Sequence, residues 1–240
     1  MMLNNDTEVT SRWLDELLHV FQAFPAAGLV GSKLLYPDGK LQEAGGIIFR
    51  DQCWNYGRGQ NPNDPKYNYT RKCDYISGAA VMLPRMLWEE LGGFDDVFAP
   101  AYYEDTDLAM RVRQSGREVY YCPFSEVIHF EGQSNGVSVT GGGIKRYQLV
   151  NEKKFRARWA QELLHRPLAP DVEAVKDSSA LFRVLVIDSE TPRPDTNAGS
   201  YAALQEMQLL QSLGGKLTFL PENLAYLGRY TEALQRSGIE

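Results

Sequence analysis

The stretch "AYYEDTDLAMRVRQSG", residues 101–116, carries Glu104, Asp105 and Asp107 within four consecutive positions. Acids suit the first turn of a helix, where free N–H groups and the macrodipole favour negative charge. Like charges this close also oppose full ionisation and raise at least one pKa, which is how a general base is made. Helix cap and base are both sound readings of these residues. A second group, Asn4-Asn5-Asp6, follows the apolar start Met1 to Leu3. A carboxylate at a strand's C-terminal edge is where α/β sheets place ligands, and its oxygens can hold Mg²⁺ or Mn²⁺. An Asx-turn or a helix cap is the competing reading. The third is His129 in "VIHFEGQS", which ends an apolar run and precedes a Gly/Ser-rich stretch. A histidine there is either structural or a ligand to a metal or phosphate.

The elements that must position these groups follow from periodicity and punctuation. Met1 to Leu3 reads as the stub of a strand. Thr10 or Ser11 is placed to cap a helix over Arg12 to Phe24, with Trp13, Leu14, Leu17, Leu18 and Phe21 at helical spacing and Pro25 as its stop. Gly28 to Leu35 and Leu41 to Phe49 read as strands around the Pro37-Asp38-Gly39 turn, the second broken at Gly45-Gly46. Residues 51–72 lack periodicity and read as a functional loop. "CDYISGAAVMLPR" reads as a strand ending at Pro84, "RMLWEELGGFDD" as a helix closed by Gly92-Gly93, and "EVYYCPFSEVIHF" as two short strands around Pro123. After His129 comes a glycine-rich stretch expected to be mobile. Ile144 to Leu164 then reads as one long helix with a basic face. Residues 166–180 have the composition of a linker. From Leu181, "LFRVLVID", a helix and "KLTFLPEN" form a βαβ unit whose first strand reads as the buried parallel kind.

Composition narrows the class. The chain has 240 residues, 43% hydrophobic and 23% charged, enough for one large or two small domains. A net charge of −6 argues against broad nucleic-acid binding. Cys53, Cys73 and Cys122 have no metal-ligand spacing and read as reduced thiols of a cytoplasmic protein. No run approaches the ~18 apolar residues of a membrane helix.

In order and spacing, four motifs resemble the inverting GT-A glycosyltransferases, specifically the bacterial rhamnosyltransferase-like group, from Leu3 to about Trp159. "LNNDTEVTSRWLDELL" is similar to the segment with that family's DxD-type motif, although Asn4 stands where its first acid would be. "SGAAVMLPRMLWEELGGFDDVF" resembles its acceptor-side strand and G-G-F-D turn, "YYEDTDLAMRVRQSG" its catalytic ED segment, and "VIHFEGQS" its H-x-x-x-S element. The resemblance implies Asp105 as base, with Glu104 raising its pKa or binding the acceptor sugar. It also implies Asn4 and Asp6 at the donor's metal and diphosphate, and His129 as a further ligand to Mg²⁺ or Mn²⁺ or to the diphosphate. Trp54, Tyr56, Tyr102 and Tyr103 are candidates for stacking on acceptor sugar rings, with ordinary packing the alternative. The residues after 181 resemble the opening of a GT-B type domain.

The expected organisation is therefore a partial GT-A domain over 1–165, a linker over 166–180 and the N-terminal part of a GT-B-like Rossmann domain over 181–240. The family's nucleotide-binding half would precede Met1, so the chain is expected to be a piece of a longer enzyme and inactive alone. The expected function is transfer of a sugar from a nucleotide-diphosphate sugar to a glycan or lipid-linked glycan, in surface polysaccharide synthesis. That activity would be cytoplasmic, with peripheral association at the inner membrane face. The rival functions are an inactive glycan-binding or scaffold module and a membrane-surface adaptor working through the basic helix.

Overall fold

The computed structural model describes residues 1–131, 144–169 and 171–240; the glycine-rich stretch expected after His129 lies, from Gly132 onward, outside them. The strands are β1 (Met2–Leu3), β2 (Thr7–Val9), β3 (Ala27–Leu35), β4 (Leu41–Glu43), β5 (Gly46–Ile48), β6 (Cys53–Asn55), β7 (Arg71–Lys72), β8 (Ala80–Met82), β9 (Glu118–His129), β10 (Phe182–Asp188) and β11 (Gly215–Pro221). The helices are α1 (Trp13–Ala23), α2 (Arg85–Leu91), α3 (Glu104–Gln114), α4 (Tyr147–Arg158), α5 (Ala160–Leu164), α6 (Val172–Val175), α7 (Ala198–Ser212) and α8 (Arg229–Arg236). The chain is an α/β protein of two compact units, one of residues 1–62 and 72–176, the other of 63–71 and 177–240.

The first unit is built on a mixed sheet in the order β1-β8-β3-β9-β2, with β4 also paired to β3. β3 and β9 run parallel; β1/β8, β3/β8, β3/β4 and β2/β9 are antiparallel, and β7 also pairs with β9. Nearly all of β3 is buried, and Gly28 is required there because a Cβ would lie 2.6 Å from Arg117 Cβ and 2.8 Å from Val112. One side of the sheet is closed by α1, whose Leu17 and Val20 pack with Val30, Tyr120 and Cys122. The helix has no side-chain cap. Arg12 takes the N-cap position with φ 63°, and the Thr10 hydroxyl donates instead to Glu126 O at 2.8 Å, tying the segment to β9.

Two expected strand regions differ in extent, each for a hydrogen-bonding reason. β9 is one strand of twelve residues, not two. Its register against β3 jumps from Ser32↔Cys122 to Lys33↔Glu126, so residues 123–125 bulge where Pro123 has no N–H to give. Ser32 Oγ and Ser125 Oγ, 2.8 Å apart, hold the bulge. "CDYISGAAVMLPR" contributes only β8, because the N–H groups of Ser77 and Gly78 donate to the carboxylates of Glu43 and Asp105 rather than to a ladder. Leu41 to Phe49 is interrupted between β4 and β5, at the expected glycine break, and β5 pairs with β6 in a separate sheet.

The long basic helix is likewise interrupted. A 3₁₀ turn at Ile144–Arg146 leads into α4, and the helix breaks at Trp159, whose indole turns inward. Much of the basic face is engaged with the protein. Lys154 donates to Val97 O at 2.7 Å, Arg156 to Arg50 O at 2.6 Å, and Arg158 pairs with Asp107 and Asp95. Residues read by composition as the start of a linker also pack on this unit. Arg166 reaches Asp74 Oδ1 at 2.7 Å, and Arg50 N donates to Pro167 O at 2.9 Å. No helix among the described residues is long and apolar enough to cross a membrane.

In the second unit, β10 and β11 pair in parallel over Phe182↔Gly215 to Asp188↔Pro221, with α7 between them in sequence. Met207, Leu217, Leu234 and Ile239 form its buried cluster, with Val184, Val186 and Phe219 against it. β10 is parallel as expected but not buried on both faces: Leu185 and Ile187 are 58% and 57% exposed.

Candidate active site

The antiparallel register of β2 and β9 sets Thr7 opposite His129, and Phe130 N donates to Asp6 O at 2.9 Å. Asp6 Oδ1 therefore lies 3.3 Å from His129 Nε2. The other ring nitrogen, Nδ1, is 2.9 Å from Gln42 Oε1, and the Gln42 amide nitrogen donates to Glu131 Oε2 at 3.2 Å. With that orientation Gln42 Oε1 accepts a hydrogen bond from Nδ1–H, and Nε2 is turned to the Asp6 carboxylate. Two electron donors facing each other need a proton or a cation between them. A histidine whose far nitrogen is held by an amide is the arrangement by which ligand histidines are oriented. The donor set thus fits a divalent cation held by one carboxylate and one imidazole, with its remaining positions open to phosphate and water. Among the described residues no group of three or more His, Cys, Asp or Glu is gathered as a metal site.

Glu104 and Asp105 enter the same cleft from the start of α3. Tyr102 and Tyr103, with φ 75° and 71°, take left-handed conformations that cost non-glycine residues energy and redirect the chain into the helix. The turn is held from α4 by the fully buried Asn151, whose amide nitrogen lies 2.5 Å from Phe98 O, 2.8 Å from Ala101 O and 3.1 Å from Tyr102 O. Asp107 points the other way. It is wholly buried and accepts from Arg111 Nε at 2.7 Å, Arg158 Nη1 at 3.0 Å and Trp159 Nε1 at 2.9 Å. The acidic triplet therefore divides: Asp107 is structural, and the other two face the cleft.

Asp105 Oδ2 accepts from Gly78 N at 2.9 Å, and Oδ1 from Thr106 N at 2.6 Å. Burial raises its pKa against those hydrogen bonds. Burial first, and then the neighbouring Asp105 charge, push Glu104 up to about 7; its Oε2 is buried with no hydrogen-bond partner. The pair titrates as one coupled unit and keeps a proton close to neutral pH. Folding consequently favours the protonated Glu104, and that contribution is present at low pH and lost as pH rises from its unfolded value to about 7. Glu104→Gln is expected to remove this loss, leaving the variant more stable than wild type at pH 8 by about 3 kcal/mol and equal near pH 4. Urea melts at both pH values check this; an equal offset at both would exclude a Glu104 titration as its source.

The cleft encloses about 350 Å³ and is lined by both groups, Asn4 and Asp6 with His129 and Tyr102 to Thr106 with Gly78. Of the aromatic candidates, Tyr102 and Tyr103 line it, Tyr103 with its ring centroid 5.2 Å from that of Phe155. Trp54 and Tyr56 do not line it. Trp54, in β6, packs edge-on against Phe49, and Tyr56 is buried, its hydroxyl donating to Glu173 at 2.9 Å. The 51–72 segment is accordingly not a single free loop: it contains β6 and a 3₁₀ turn at Pro65–Tyr67, and residues 63–71 belong to the second unit. Residues that spacing did not reveal also line the cleft, among them Gln42, Arg58, Glu131 and Lys145. Glu131 was visible only as the second residue after His129, and Arg58 carried no signal. Cys53 lies on the wall, but burial pushes its thiol up to about 12, so it is no nucleophile at neutral pH.

No family model matches the chain. A 141-residue stretch is 34% identical to an O-antigen biosynthesis protein, RfbC, of Myxococcus xanthus, covering 56% of this chain and 11% of that protein. A 151-residue stretch is 25% identical to the N-acetylglucosaminyl-diphospho-decaprenol L-rhamnosyltransferase of Mycobacterium tuberculosis, covering 57% of this chain and 48% of that enzyme. The chain thus spans less than half the length of either relative. Among solved structures it is similar to GalNAc-T7 with UDP, GalNAc and Mn²⁺ at a TM-score of 0.43 and 15% identity, over 70% of this chain and 41% of that one. A likeness of that size assigns neither fold nor activity.

Proposed function

We propose that this chain carries the acceptor side and the catalytic acids of an inverting GT-A glycosyltransferase acting in bacterial polysaccharide synthesis. The observation that carries the reading is the joint placement of the Asp6–His129 pair and the Glu104–Asp105 pair on one cleft. The names of the two relatives, an O-antigen biosynthesis protein and an N-acetylglucosaminyl-diphospho-decaprenol L-rhamnosyltransferase, support the substrate class. Asp105 takes the proton of an acceptor hydroxyl as its oxygen attacks the anomeric carbon. The carbon–oxygen bond to the diphosphate breaks, the nucleoside diphosphate leaves with the electron pair, and the configuration inverts. Glu104, pushed up to about 7 by burial and the Asp105 charge, holds its proton to near neutral pH beside the Asp105 carboxylate, or binds the acceptor sugar. Asp6 and His129 would hold Mg²⁺ or Mn²⁺, with Asn4 beside them. When bound, the ion would neutralise the charge of the leaving group. Tyr102 and Tyr103 offer ring surface to the acceptor. The same reading assigns 1–165 to the GT-A part, 166–180 to a linker and 181–240 to a GT-B-like part. It sets the activity in the cytoplasm at the inner membrane face.

Calorimetric titration with UDP or dTDP, with and without Mn²⁺, tests the donor assignment. Wild type is expected to bind nucleotide in a Mn²⁺-dependent way, and Asp6→Ala to lose that dependence, with affinity falling by about 10–100-fold. Equal Mn²⁺-linked affinity in both proteins would exclude Asp6 from the metal site.

A further inference from the structure

Glu131 is held by four donors from three separate segments, Tyr36 and Gln42 lying on the one β3–β4 hairpin. Arg58 Nη2 lies 2.5 Å, Tyr36 OH 3.1 Å and Gln42 Nε2 3.2 Å from its Oε2, while Lys145 Nζ lies 3.7 Å from Oε1. Three donors crowd one carboxylate oxygen, although an oxygen has two lone pairs to offer. Two full positive charges also face a single negative one, and among the described residues neither cation pairs with a second carboxylate. The group is open to solvent on the cleft side: the Glu131 side chain is 28% and that of Arg58 47% exposed. A guanidinium, an ammonium, a phenol and an amide arranged around an oxygen anion form a donor set matched to phosphate, which offers more oxygens and more charge than a carboxylate.

We propose that Arg58, Lys145, Tyr36 and Gln42 form a diphosphate-binding cradle, and that Glu131 is its internal, displaceable occupant. The proposal rests on the glycosyltransferase reading only for the source of the diphosphate, which is either the nucleotide donor or a lipid-diphosphate acceptor. The cradle is tied to the Asp6–His129 pair through Gln42, which bonds His129 with its carbonyl and Glu131 with its amide nitrogen. Displacing Glu131 frees that amide nitrogen for the ligand while the histidine keeps its partner. Binding is thereby charged an internal competition that a carboxylate-free cradle would not have.

The test is calorimetric titration of the whole chain with inorganic pyrophosphate in EDTA, so that no divalent ion takes part. Wild type is expected to bind weakly, Glu131→Gln about tenfold more tightly, and Arg58→Gln at least tenfold more weakly. A purely structural Glu131 predicts the opposite sign, since its loss would loosen the cradle; weaker or unchanged binding in Glu131→Gln overturns the proposal. Should that variant not fold, Arg58→Gln decides alone, and unchanged affinity there overturns it. A parallel titration with UDP and Mn²⁺ separates the two readings. Pyrophosphate binding without Mn²⁺-linked UDP binding leaves the cradle standing and removes the transferase reading; the converse removes the cradle. Competition by UDP or by geranyl diphosphate in EDTA then assigns the cradle to donor or acceptor, and displacement of pyrophosphate by either supports it.

Discussion

In the complete enzyme that the proposed function implies, Asp105→Asn is expected to lower sugar transfer by roughly 10²–10⁴-fold while nucleotide binding stays within a few-fold of wild type. The substitution keeps the shape of the side chain and removes its basicity. It is not silent structurally. Both Asp105 oxygens accept backbone N–H groups, from Gly78 and Thr106, so an amide nitrogen must face one of those donors. About 1–3 kcal/mol of stability is expected to go with it, offset in part by the smaller cost of burying a neutral group. Comparing transfer rate with nucleotide affinity in the folded variant separates lost chemistry from lost structure. Wild-type turnover would remove Asp105 from the base role. The acid pair also sets a pH signature. Wild-type kcat/KM should rise as the coupled pair loses its proton near pH 7. In Glu104→Gln that limb should move to lower pH, because the member of the pair that burial and the Asp105 charge push up to about 7 is gone. A limb that stays in place would show that Glu104 does not couple to the base.

The second large effect is on stability. Asp107→Ala is expected to cost about 3–5 kcal/mol, the range for removing one partner of a buried, hydrogen-bonded charge network. Arg111 would keep its bonds to Leu91 O and Gly93 O, but its Nε would lose a carboxylate, as would Arg158 Nη1 and the buried Trp159 indole. The denaturant midpoint should fall with little change in slope. A loss below about 1 kcal/mol would mean that water or a neighbouring carboxylate replaces Asp107. Because Asp107 joins α3 to the end of α4, the double variant Asp107→Ala/Arg158→Ala should lose less than the sum of the single variants. The acids of the cleft depend on this anchor for their position: Glu104 and Asp105 open the helix that Asp107 fastens.

Local patterns in the sequence were sufficient for α1, α2, α3 and the βαβ order of the second unit. Each is written in side-chain periodicity and in a nearby stop, such as Pro25 or Gly92, the latter left-handed at φ 74°. The same local reading located Asp6, Glu104, Asp105 and His129 as chemistry-bearing residues. It left open whether the acids of residues 104–107 cap a helix or face a site, since both uses require the same residue types at the same spacing. Only the tertiary structure divides them, by burying Asp107 among Arg111, Arg158 and Trp159 and leaving Glu104 and Asp105 on the cleft. Strand extents were also beyond local reading. The bulge at residues 123–125 and the shortness of β8 depend on which distant group takes each N–H.

The aromatic candidates and the Glu131 cluster show the same limit from two sides. Trp54 and Tyr56 have the residue type for sugar stacking, yet packing against Phe49 and Glu173 takes them away from the cleft. Tyr36 and Gln42 flank one turn, but no spacing links them to Arg58 or Lys145, and the meeting of all four at Glu131 depends on the packing of separate segments. Sequence by itself determined the helices and the kinds of reactive group, because both depend on residues within a few positions of one another. The tertiary structure decided which acid is buried, which ring is exposed and which charges meet, because those depend on contacts between residues far apart in the chain, 95 positions in the Tyr36–Glu131 hydrogen bond and 117 in the Tyr56–Glu173 one.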